Sequence, residues 1–132
     1  MRVAFYAPMK PPTSPVPSGD RRMARLLMRA LTRAGHRVEL ASRFASRDGE
    51  GDAQRQRRLA ALGARLAARL IARFNQRPAA ERPQAWLTYH LYHKAPDFLG
   101  PAVAEALSIP YLAAEASSAG KQAGGKWDLF YR

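Results

Sequence analysis

The chain has 132 residues, no cysteine and a formal charge of +12. Its length suits one core, and 47% hydrophobic with 24% charged residues is ordinary for a globular domain. The missing cysteine excludes disulfides, thiolate catalysis and cysteine-ligated zinc. No basic-then-apolar leader opens the chain and no apolar run is long enough to span a bilayer, so a cytoplasmic protein is expected.

Residues 3–7 form a short, nearly continuous apolar run, the pattern of a parallel strand covered on both faces. Pro8, Pro11, Pro12, Pro15 and Pro17 then dictate a long irregular loop, because proline lacks the N–H and biases its predecessor away from the helical basin. A helix follows, with Ser18 or Asp20 as cap and Met23, Leu26, Leu27, Ala30 and Leu31 as its inward face. Gly35 stops it, and a second strand is expected over 37–42.

Residues 43–53, rich in Arg, Ser, Gly and Asp, read as a mobile connection. Between Gln54 and Arg77 stand seven arginines and no acid. Leu59, Leu62, Leu66, Leu70 and Phe74 share one helical face, and Arg65, Arg69, Arg73 and Arg77 form a second stripe at four-residue spacing. That basic shoulder suits either solvent or an anionic membrane surface. A third strand is expected over 85–89 with His90 at its end, a short helix over 97–107, and a fourth strand over 109–114. The alternation βαβαβαβ predicts an α/β fold: a Rossmann-like parallel sheet with helices on both faces.

In a sheet of order 3-2-1-4, strands one and four would be neighbours, with a ligand crevice at their carboxyl ends. One border would be Ser18, Gly19 and Asp20, where Gly19 lets a phosphate approach helix N–H groups. The other would be Glu115 and Ser117, with Glu115 able to accept from a hydroxyl or act as a base. His90 and His93 stand three apart, but without a third ligand they make no metal site, and none is expected. His36 reads as structural. Residues 120–126 imitate a Walker A loop, but Trp127 stands where magnesium binding needs Ser or Thr.

The opening run Met1-Arg-Val-Ala-Phe-Tyr-Ala-Pro, the Pro-rich loop and Ser18-Gly19-Asp20-Arg21-Arg22 resemble the amino-terminal domain of GT-B glycosyltransferases, especially retaining family 4 enzymes. The turn Ala34-Gly35-His36-Arg37-Val38-Glu39-Leu40 and the run Ile109-Pro110-Tyr111-Leu112 extend that likeness over most of the chain. A single Gly19 stands where many relatives carry a glycine pair, and Glu115 where many place a histidine. The resemblance implies an acceptor-binding half of a two-domain enzyme that transfers sugar from a nucleotide-sugar donor to an acceptor. It also implies that a carboxyl-terminal donor-binding domain lies outside these residues, so that the chain alone would not catalyse transfer. No cofactor is implied.

On that expectation Ser18, Gly19, Asp20, His90, Glu115 and Ser117 bind substrate, and Arg65, Arg69, Arg73 and Arg77 meet a membrane or other anion. The competing expectation is a non-catalytic basic module that grips nucleic acid or an acidic partner, although no nucleic-acid motif accompanies the charge. A different sheet-based nucleotide enzyme would carry G-x-G-x-x-G, which is absent.

Overall fold

The computed structural model describes residues 1–15, 18–48, 50–91 and 94–116. Four strands, β1 (Arg2–Tyr6), β2 (Arg37–Leu40), β3 (Ala85–Leu91) and β4 (Tyr111–Ala116), alternate with helices α1 (Gly19–Arg33), α2 (Ala53–Gln76) and α3 (Gly100–Leu107). One 3-10 turn, Ala79–Glu81, precedes β3. Every strand pair is parallel, giving the expected Rossmann-like α/β sheet.

The strand order is β2-β1-β3-β4, not 3-2-1-4. Chain leaving β2 crosses back through α2 and enters on the far side of β1, where Val3 pairs with Ala85 and Tyr6 with Thr88. β4 therefore borders β3 and is separated from β1. Burial explains the arrangement: Ala4, Phe5 and Tyr6 are wholly buried and need ladder partners on both edges, whereas short, half-buried β2 suits an edge.

Side-chain alternation divides the core into two layers. On one face Phe5, Ala7 and Tyr89 pack with Ala24, Leu27 and Met28 of α1. On the other, Ala4, Tyr6 and Trp86 pack with Leu70 and Phe74 of α2, with Leu99 just ahead of α3 and with Val103 of α3. Ser18 caps α1 by accepting from the Arg21 N–H at 3.1 Å, and Gly35 leaves it at φ 96°, a left-handed turn that glycine adopts without steric cost.

Both long helices bury only part of the stripe that periodicity suggests: Leu70 and Phe74 are buried and Leu27, Leu31, Leu59 and Leu66 half-buried as expected, but other members are not. In α1, Ala24 is buried while Met23, Leu26 and Ala30 lie on the outside. In α2 the buried positions are Gln56, Gly63, Ala67, Leu70 and Phe74, and Leu62 faces solvent. The cause is close approach of α2 to the segment entering α3: a Cβ on Gly63 would collide with Phe98, so small residues hold the contact and leucine is turned away.

The connection expected to be mobile is tied to the sheet. Ser46 and Asp48 are buried; the Ser46 N–H donates to Pro8 O, its hydroxyl to Pro96 O, and the Asp48 N–H to Lys94 O. The Tyr6 hydroxyl donates to Phe44 O at 2.7 Å. The strap thus joins the loops that follow β1 and β3. Asp48 accepts from the backbone N–H groups of Glu50 and Asp52 and from Gln56 Nε2, while Asp52 caps α2. Burial alone would raise the Asp48 carboxyl, but these donors, with the Gly51 backbone, hold it below the usual carboxylate range.

Candidate functional site

The chain leaves the carboxyl end of β1 towards α1 on one face and that of β3 towards α3 on the other, so the order-reversal point lies between β1 and β3. Such a divergence opens the ligand crevice of an α/β sheet. It replaces the expected crevice between strands one and four.

Two residues predicted from sequence meet there. Asp20 stands in the first turn of α1 and His90 near the end of β3, and Asp20 Oδ1 lies 2.6 Å from His90 Nδ1. Asp20, expected as a possible helix cap, is used for this pair while Ser18 does the capping. Strict alternation would send His90 to the Trp86 and Thr88 face, opposite α1. Its φ of 64° breaks the alternation and brings the ring to α1. A left-handed backbone is uncommon for a non-glycine residue and stores strain, so the ring's position is imposed by its surroundings.

Ser18 and Gly19 adjoin this pair. Gly19 has no left-handed backbone, and an added Cβ would meet nothing within 4 Å. Neither conformation nor packing among the described residues requires glycine there. Glu115 lies within β4 rather than beyond it, and the pairs Tyr89 with Ala114 and Leu91 with Ala116 set it level with His90. The Glu115 side chain, Ser117, His93 and the 120–127 segment lie outside the described residues.

A third constellation carries no obvious sequence signature. Asp97 Oδ1 accepts from the N–H groups of Leu99 and Gly100 at 2.9 and 2.7 Å, and Oδ2 from the hydroxyls of Thr88 and Tyr111. Trp86 Nε1 donates to Thr88 Oγ1 at 2.8 Å. The spacing of Asp97 just ahead of Gly100-Pro101 is the available hint, because it is a helix-start signal. With four donors on one carboxylate, its lone pairs are occupied and the cluster is structural: it fixes α3 against β3 and β4. Burial, then the negative charge of Asp97, pushes the Tyr111 hydroxyl up.

The arginine stripe of α2 is only partly available. Arg65, Arg69 and Arg73 are exposed, but Arg77 pairs with both Glu39 oxygens at 2.7 and 3.0 Å and lies 4.9 Å over the Phe74 ring. The hydrogen bonds it donates to Glu39 raise its guanidinium above the ordinary value. Among the described residues Arg77, unlike the other three, therefore already has a carboxylate partner. Arg69 and Arg73 instead line a groove of about 410 Å³ with Arg43, Ser42 and Leu66.

A larger groove, about 620 Å³, runs along the outer side of α1 from Ser18 and Gly19 past Arg22, Arg25, Leu26 and Arg29. It does not include Asp20 or His90, so this groove and the strained pair occupy different sides of the same helix start. Among the described residues no cluster of three histidine or acidic side chains could hold a metal, and no helix is long and apolar enough to cross a membrane.

Compared with protein-family models, with curated proteins and with solved structures, the chain matches none. The chemistry of its own residues therefore carries the functional reading.

Proposed function

We propose that the chain is the acceptor-side domain of a nucleotide-sugar-dependent glycosyltransferase, with Asp20 and His90 at its acceptor pocket. The observation that supports this reading is the Asp20–His90 contact at the strand-order switch, made through a strained backbone. A carboxylate against Nδ1 favours the tautomer with its proton there and places the basic lone pair on Nε2. In this reading the Asp20–His90 pair offers polar atoms to a sugar hydroxyl at the end of β3, and Glu115 stands at the same backbone level on β4. Ser18 and Gly19 would face the donor phosphates at the positive end of α1. The donor sugar and most of its nucleotide would be held by a further domain, and a reducing cytoplasm suits a chain without cysteine.

Titration of the chain with candidate acceptor glycosides, followed through the His90 ring resonances, tests the reading. Saturable shifts at His90, lost in Asp20→Asn, support it. Shifts produced by RNA but by no glycoside would favour the basic binding module instead. Nucleotide release from a sugar donor by this chain alone would contradict the shared-site argument, because a half-site cannot align both reactants.

A further inference from the structure

Beyond Ser18 and Gly19, and beside the Arg21 and Arg25 that hold the Pro-rich loop, helix α1 turns Arg22, Met23, Leu26 and Arg29 outward. Ala24, Leu27, Met28 and Leu31 point to the sheet. At about 100° per residue, Arg22, Arg29 and Arg33 form the outward ridge. Leu26, Ala30 and Met23 occupy one shoulder, with Arg21 and Arg25 on the other. Met23 and Leu26 are 44% and 45% exposed, unusual for large apolar side chains set among five arginines.

The cations differ in their commitments. Arg21 donates to Ser14 O and Arg25 to Pro12 O, which holds the Pro-rich loop on the helix. Arg22 and Arg29 make no side-chain hydrogen bond or ion pair among the described residues. The helix carries one acid, Asp20, and that acid is turned to His90. Among the described residues no carboxylate therefore offsets the charge of the groove.

We propose that this outer face of α1 is a membrane-docking surface, in which Arg22 and Arg29 hold anionic phospholipid headgroups while Met23 and Leu26 enter the interface. The combination decides the partner. Apolar side chains beside cations match a surface with charged headgroups above hydrocarbon. Nucleic acid offers no such layer and favours aromatic stacking, and α1 has no aromatic residue. The groove of about 620 Å³ is concave enough for a headgroup, and the helix N-terminus adds a partial positive charge at its Ser18 end.

Helix α2 fits this role less well. It lies on the opposite face of the sheet, so a flat bilayer meets one helix or the other. Its outward positions between the arginines are mostly alanine, and Arg77 is held by Glu39. Docking through α1 also brings the membrane beside the strand-order switch. The proposal does not depend on sugar transfer.

Vesicle sedimentation of the full chain provides the test, using phosphatidylcholine with and without phosphatidylglycerol. Binding should require the anionic lipid and fall with salt. Each cation near the surface accounts for about fivefold in affinity, so Arg22→Gln with Arg29→Gln should weaken binding by roughly 30-fold. Arg65→Gln, Arg69→Gln and Arg73→Gln together should leave most of it. Because the chain has no cysteine, L26C and L62C can each carry a polarity-sensitive fluorophore. A blue shift on vesicles at position 26 and none at 62 is expected. A shift at 62 alone, binding indifferent to lipid charge, or RNA displacing the chain from vesicles without loss in the Arg22/Arg29 double variant would overturn the proposal.

Discussion

Asp20 and His90 lie 70 positions apart in sequence yet meet at 2.6 Å, and the contact depends on a left-handed backbone at His90. Strand alternation would place the ring on the far face of the sheet, so one residue's φ joins the start of α1 to the end of β3.

Backbone strain at that point is measurable apart from the ion pair. His90→Ala and His90→Gly both remove the ring, but only alanine keeps the steric conflict at φ 64°. The glycine variant should be more stable by about 1 kcal/mol in chemical denaturation. Equal midpoints would show that the conformation stores no strain.

Acid should attack the strap through Asp48. Its carboxyl lies below the usual range in the folded state, so its stabilisation is complete above the unfolded pKa and disappears as pH falls through the folded one. Asp48→Asn presents an amide to backbone donors in a buried site and should cost about 2 kcal/mol at neutral pH. The variant should also lose part of the acid-dependent slope. A thermal-melt series across the carboxylate range checks both.

The alkaline limb should depend on Tyr6. Burial, then the negative charge of Asp97, raises its hydroxyl far above the ordinary value. The folded state thus disfavours the phenolate, and stability is lost as pH rises beyond about 10, where unfolded tyrosine ionises. Tyr6→Phe removes this slope and also the hydrogen bond to Phe44 O, so it should be less stable at neutral pH but less sensitive to alkali. A pH-independent difference between the two proteins would contradict the assignment.

Gly63 tests the close approach of α2. Alanine would favour a helix by about 1 kcal/mol at an open position. Here its Cβ meets Phe98, and overpacking of this kind costs about 1–3 kcal/mol, so Gly63→Ala should destabilise the protein. Pairing it with Phe98→Gly, which removes the clashing Cβ that alanine would keep, should give a smaller loss than the sum of the single changes. Additive losses would mean that the contact is not the cause.

The element types were legible in the sequence because they arise from local chemistry. Prolines ended the first strand, Ser18 capped α1, Gly35 closed it, and apolar runs of strand length alternated with helical periods. Parallel pairing followed from that alternation. The candidate residues Ser18, Gly19, Asp20 and His90 were also visible, as a helix start and a strand end. Strand order was not, because either edge of β1 could accept a strand and the choice is made by which crossover buries it best. Nor did periodicity reveal that Gly63 and Ala67, rather than Leu62, face inward; that depends on how near α3 lies. The anchoring of 43–48, the commitment of Arg77 to Glu39 and the turn of His90 towards Asp20 all join residues more than thirty positions apart. Local sequence preferences are insensitive to such partners, and only tertiary packing selected them.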